Sequence, residues 1–217
     1  MITRRVMFLF GYVWPFAICP SPTQAQIART NAHLCWQEGR RLAWSDFQAP
    51  QCYDNDGSRC SYATFVAANT AANVLVAGFV DSQGLADYRV TCFFIRDSSW
   101  VNPKIVAVPV EVPAAYRAYT LAHEQVHFDI YELIARKIRY YVAQHRAAGD
   151  DLFGPVAAQD IRCLLDELKT LNALYDDDVN FRSPAVEAAA QRRWTLLVAR
   201  ELRALARYKS IATTCPD

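Results

Sequence analysis

From Ala32 to Phe47 the apolar residues Leu34, Trp36, Leu42, Trp44 and Phe47 fall between polar neighbours, a loose period of two that predicts one or two short strands. Residues 49–61, with Pro50, Asp54, Asn55, Asp56 and Gly57, read as a loop. Val74, Val76, Phe79 and Val80 then fit a strand that Asp81 to Gly84 turns back, and Tyr88 to Ile95 reads as its hairpin partner. Trp100-Val101 begins a further extended piece that ends near Pro109 and Pro113. Beyond Pro113 the period changes to about three and a half and holds through Arg146. Leu121, Ala122, Val126, Ile130, Leu133, Ile134, Ile138 and Tyr141 form one broad apolar face, and Gly149 marks the end. A helix of that length, over ~45 Å, leaves a bend or a break near Tyr140 open. Two more helices follow, roughly Pro155 to Asp178 and Ala185 to Ser210. Their stripes are Val156, Ile161, Leu164, Leu165, Leu168, Leu171 and Leu174, then Trp194, Leu197, Val198, Leu202 and Leu205. The order predicts a single α+β domain, with antiparallel strands at its N-terminal end and three long helices after them.

Composition changes this picture mainly at the ends. Arg4 and Arg5 precede an apolar run from Val6 to Ile18, and Thr23-Gln24-Ala25 offers small residues at a cleavage position, so residues 1–25 read as a signal peptide and 26–217 as one domain. Pro15 interrupts the run and no long apolar span follows, which argues against a stable membrane anchor. A lipoprotein at Cys19 is the weaker alternative, since Ile18 stands where a small residue is required. The expected location is periplasmic or secreted. Setting the leader aside removes two arginines and no acid, moving the formal charge from +1 to −1. The basic residues of the last helix read as a solvated face balanced by Glu187 and Glu201, so no nucleic acid or charged membrane surface is implied. The remaining cysteines, at 35, 52, 60, 92, 163 and 215, are even in number and suggest disulfides. Six cysteines allow 15 pairings and the sequence does not choose among them, though Cys52 with Cys60 would close a short turn-rich loop and Cys163 with Cys215 would tie the last two helices.

The chemistry concentrates at His123-Glu124-Gln125-Val126-His127, an H-E-x-x-H pattern inside the first long helix. Residues four apart share a helix face, so the two imidazoles can aim at one cation, and zinc suits them. Glu124 projects beside the pair, where such a glutamate serves as general base for peptide hydrolysis. The plainer alternative is a pair of histidines packed in a part-polar core. A catalytic zinc needs a third ligand. His33 is far upstream, and His145 lies about 27 Å further along the same helix. The place to look is therefore the acid cluster Asp176-Asp177-Asp178, where negative charge at a helix C-terminus opposes the dipole. Tyr131, Tyr175 and Tyr140 are candidate oxyanion donors. Asp129 is either an orienting acceptor for a ligand histidine or a surface acid.

Leu42-Ala43-Trp44-Ser45-Asp46-Phe47, Ser99-Trp100-Val101, His123 to Ile130, and Tyr175-Asp176 with Gln191 and Trp194 together resemble a bacterial family. It is a family of secreted zinc-dependent proteases formerly described as a domain of unknown function. The resemblance implies a zincin-like fold with the motif on its first long helix, a Zn2+ cofactor and a peptide or protein substrate. Val126 stands where the family usually has glycine, and Phe181 where it has a histidine shortly after Tyr-Asp. The spacing from Tyr175 to Trp194 is also longer than usual. If that histidine is a ligand, Asp177 or Asp178 takes its place, or zinc binding is weakened. The expected donor set is thus His123, His127 and Asp178, with Glu124 as the base. The alternative is a degenerate, non-catalytic envelope protein that acts as a binding module.

Overall fold

The computed structural model describes residues 32–50, 67–107, 112–180 and 182–210 together with Cys215. The expected leader, Cys52, Cys60, Pro109 and Phe181 lie outside the described residues. The architecture is α+β, antiparallel strands followed by helices. Strands β1 (His33–Cys35), β3 (Ala72–Val80) and β4 (Ala86–Ile95) form a sheet in the order β1-β4-β3, antiparallel throughout. β2 (Ala68–Asn69) pairs with β5 (Trp100–Val101), and where the extended piece was expected to continue a short helix α1 (Pro103–Val106) forms instead, started by Pro103 at its first position and by Asn102, whose side chain accepts the amide of Lys104. The hairpin turn falls where composition placed it: Asp81 Oδ1 accepts the amides of Gln83 and Leu85, and Gly84 takes the left-handed φ of 78° that a side chain would resist.

Three long helices complete the fold: α2 (Ala114–Ala148), α3 (Pro155–Val179) and α4 (Pro184–Ala204). α2 runs 35 residues with no break near Tyr140, one of the outcomes its length left open, and it ends at Gly149 in the left-handed conformation (φ 79°) with its last carbonyls capped. Its buried residues run from Thr120 to Val142, where the rest of the domain covers it. Val74, Val90, Cys92 and Phe94 of the hairpin face it, and Phe94 meets Phe128 at 5.7 Å and Phe47 at 5.2 Å between ring centroids. On other sides α3 and α4 pack against Ile130, Ile134 and Ile138, all fully buried. α3 runs antiparallel to α2, as Lys137 pairs with Glu167 and Tyr141 with Asp160 while His127 reaches Asn172.

The third helix ends six residues before the Ser210 expected for it. Arg136 donates to the carbonyl of Leu202, Arg139 to that of Tyr208, and the amide of Ser210 donates to Glu132 Oε1. The chain end is thereby diverted across α2 rather than continued as helix. This also explains the cysteines. The diverted tail brings Cys215 to β1, where it is bonded to Cys35 with the Cα atoms 5.3 Å apart, so the Cys163–Cys215 pairing is not the one formed. Cys163 is an exposed free thiol on α3 and Cys92 a buried one on β4. No helix among the described residues is long and apolar enough to cross a membrane.

Two buried charge networks generate expectations for stability. Glu132 is fully buried and accepts from Arg136, Arg139 and Ser210, and the Arg136 guanidinium lies 4.9 Å above the Trp36 ring. Glu132→Ala strands a buried guanidinium and is expected to cost about 3–5 kcal/mol in urea unfolding, with Glu132→Gln costing less. Asp46, in the Trp-Ser-Asp-Phe segment, accepts two bonds from Arg40, one from Arg96 and one from the amide of Ala43. Burial pushes its carboxyl up, but these donors outweigh burial and hold it below the usual carboxylate value. A depressed folded pKa adds stability that is present above the unfolded value and lost as pH falls through the folded one. Asp46→Asn is therefore expected to cost about 1–3 kcal/mol at pH 7. Its deficit against the parent should shrink at pH values below about 4, as unfolding curves at pH 7 and pH 3 would show.

Candidate metal centre

Helical spacing puts His123 and His127 on one face of α2, and the antiparallel course of α3 brings its last turn over that face. His127 Nε2 lies 3.1 Å from His123 Nε2 and 3.1 Å from Asp176 Oδ1, and His123 Nε2 lies 3.3 Å from the same oxygen. These three donor atoms lie within 4.8 Å of one another and could hold a metal ion. Burial disfavours a charged His127, yet the bond to Asp176 and the charge of Glu124 outweigh it and raise its pKa above the ordinary histidine value. Asp176 is pushed up by burial, and the two imidazoles pull it far below the usual carboxylate range.

A hydrogen bond on the far side of His127 sharpens this. Asn172 Nδ2 donates to the carbonyl of Leu168 at 2.9 Å, which turns Asn172 Oδ1 toward His127 Nδ1 at 2.7 Å. Nδ1 therefore donates, and in the neutral imidazole the lone pair sits on Nε2, facing Asp176 and His123. Asn180 Nδ2 donates to Asp176 Oδ1 at 3.1 Å. Asn172, Asp176 and Asn180 are thus an i, i+4, i+8 ladder at the end of α3. Neither asparagine was legible as a site residue, although the four-residue spacing opposite H-E-x-x-H is a signal that could have found them.

The expected third donor, Asp178, is not at the cluster. Two residues along a helix turn the side chain by about 200°, so Asp178 faces away from His127 when Asp176 faces it. Asp178 Oδ2 instead accepts the indole N–H of Trp194 at 2.8 Å, and Asp177 is 80% exposed near Arg182. Glu124 stands beside the histidines, 3% exposed, and its Oε2 is buried without a hydrogen-bond partner among the described residues. A carboxylate oxygen left so is costly unless something outside the chain satisfies it.

The tyrosines divide. Tyr175 is fully buried, stacks on His123 at 4.7 Å, meets His127 edge-on at 5.0 Å and turns its hydroxyl to the carbonyl of His123 at 3.5 Å. It packs against both histidines, and its phenol is raised far above the usual value by burial and by the charge of Glu124. Tyr140 packs on Tyr208, about 25 Å along the helix from His123. Burial raises the phenol of Tyr131, which also lies on α2. By placement neither Tyr175 nor Tyr140 is an oxyanion donor. Asp129 neither orients a ligand nor sits on the surface. It accepts from Trp36 Nε1 at 2.8 Å, Gln125 Nε2 at 2.9 Å and Arg41 at 3.2 Å, while Gln125 Oε1 accepts the amide of Leu42 at 2.7 Å. These bonds lie on the side of α2 away from the histidines and fix the helix against the 34–47 segment.

Comparison of the chain with protein-family models, curated proteins and solved structures finds no match. The geometry gives a direct expectation. Asp176→Asn should weaken binding of a divalent metal at least tenfold in chelator competition, whereas Asp178→Asn should leave it within about twofold. Equal losses in the two variants would contradict the assignment of Asp176.

Proposed function

We propose that the protein is a zinc-dependent peptidase of zincin-like type in which His123, His127 and Asp176 hold the ion and Glu124 is the proton acceptor. One observation carries this: two imidazole nitrogens and a carboxylate oxygen converge beside a buried carboxylate oxygen that has no partner among the described residues. Two histidines and one carboxylate are a donor set of catalytic zinc, and they leave coordination positions free for water and substrate. Zinc bound there would acidify water and polarise a peptide carbonyl.

The chain's own residues do the rest. Glu124 Oε2, unpaired and buried, takes the proton from the attacking water and returns it to the departing amine, so no net charge is left on the enzyme after a turnover. Asn172 and Asn180 hold His127 and Asp176 in place, and Tyr175 walls His123 so that its ring cannot swing. The Cys35–Cys215 disulfide and the N-terminal pattern of Arg4, Arg5 and an apolar run support an exported protein acting on peptides or proteins in an oxidising compartment.

Two observations keep alternatives in view. The same two-histidine, one-carboxylate set also suits ferrous iron, and the identity of the metal rests on the chemistry assigned to Glu124. The hydroxyl of Tyr175 is turned away to a backbone carbonyl, which favours a metal-holding protein without catalysis as the second reading. Metal analysis of the purified protein, paired with a peptide-hydrolysis assay, decides among them. About one zinc per chain is expected, lost in His123→Ala. Glu124→Gln should retain the metal and lose activity by roughly 10²–10⁴-fold. Stoichiometric zinc with no hydrolysis by the parent would establish the binding reading, and iron in place of zinc would overturn the peptidase.

A further inference from the structure

We infer that Asn172 is a positioning residue that selects the Nε2-donating form of His127, and that the affinity of the centre depends on it. The inference rests on the metal-site reading above and goes beyond it by assigning a determinant that is not itself a ligand. Three observations support it. The amide orientation is set from behind, because Nδ2 is committed to the Leu168 carbonyl within the same helix, leaving Oδ1 as the atom that meets the imidazole. The contact is short, 2.7 Å, between side chains 45 residues apart in sequence. And the opposite nitrogen of the same ring is the one that faces His123 and Asp176.

The physical consequence is specific. A free histidine distributes its proton between the two ring nitrogens, and only the form protonated at Nδ1 offers the lone pair where the other two donors are. Asn172 Oδ1 accepts a hydrogen bond from Nδ1–H and, being fixed by α3, also prevents rotation of the ring about its χ2. As a neutral acceptor it does this without adding a second negative charge beside Asp176. An acceptor at this point is therefore required, and its charge is a separate variable.

The test compares Asn172→Leu, which keeps the shape and removes the acceptor, with Asn172→Asp, which keeps the acceptor. Zinc affinity is measured by competition with a chromogenic chelator, and the melting of the metal-free chains is followed in parallel. Asn172→Leu is expected to bind zinc about 10–100-fold more weakly than the parent. Asn172→Asp is expected to bind within about threefold of the parent or more tightly. The ring-nitrogen shifts of His127 in the zinc-loaded parent should report a protonated Nδ1. Leucine binding as tightly as the parent overturns the inference, as does aspartate binding as weakly as leucine, since a purely packing role would not separate the two. A parent that binds no zinc overturns the metal reading itself, whereas tight parental binding unaffected by Asn172→Leu overturns this inference alone.

Discussion

A single helix of 35 residues must be covered on almost every side at once, and this constraint organises the molecule. Its residues are not apolar all round. Glu132, Arg136, Gln125, Glu124 and His123 are all buried on it, and each polar group needs a partner supplied by a different part of the chain. The hairpin answers with Val90 O for Arg139, the 34–47 segment with Trp36 and Leu42 for Asp129 and Gln125, and the C-terminal tail with Ser210 for Glu132. Partners for the remaining face come from the last turn of α3.

The rotation of α2 about its own axis is consequently determined from behind. Gln125 and Asp129, between and beyond the motif residues, are held by side chains and amides more than 80 positions earlier in the chain. Ring contacts from Phe47 through Phe94 to Phe128 hold the same helix against the sheet. With the back of α2 clamped, His123 and His127 point in one direction and α3 has only to present an acid there. Net hydrogen bonds contribute about 1 kcal/mol each, so the clamp acts more through geometry than through any single large term.

The disulfide between Cys35 and Cys215 and the Glu132 network act on one element, the tail beyond α4. The disulfide joins the first described strand to Cys215, and the network joins α2 to the tail, so both hold the segment after α4 against the rest of the domain. The His123–His127 face lies about one to two and a half turns before Glu132 on the same helix. A buried ionic network is weak evidence for stability in itself. Here it specifies where the third helix stops.

Periodicity and turn chemistry were enough to read the order of elements, the hairpin turn at Asp81 to Gly84, the long helix and its end at Gly149, because these depend on spacing and local backbone preference alone. The placement of His123 and His127 on one face follows from the same local rule. The third donor did not. Asp176, Asp177 and Asp178 are chemically alike, and which of them faces the histidines is set by the rotation of α3, a property of packing that successive residues resolve in steps of about 100°. Asn172 and Asn180 were invisible for a related reason: an asparagine on a helix acquires a role only when a particular imidazole or carboxylate stands opposite. The cysteine pairing likewise depended on where buried arginines stopped the last helix. Local sequence determined the elements and the two histidines. Only the tertiary structure, by bringing α3 antiparallel across α2, decided what faces them.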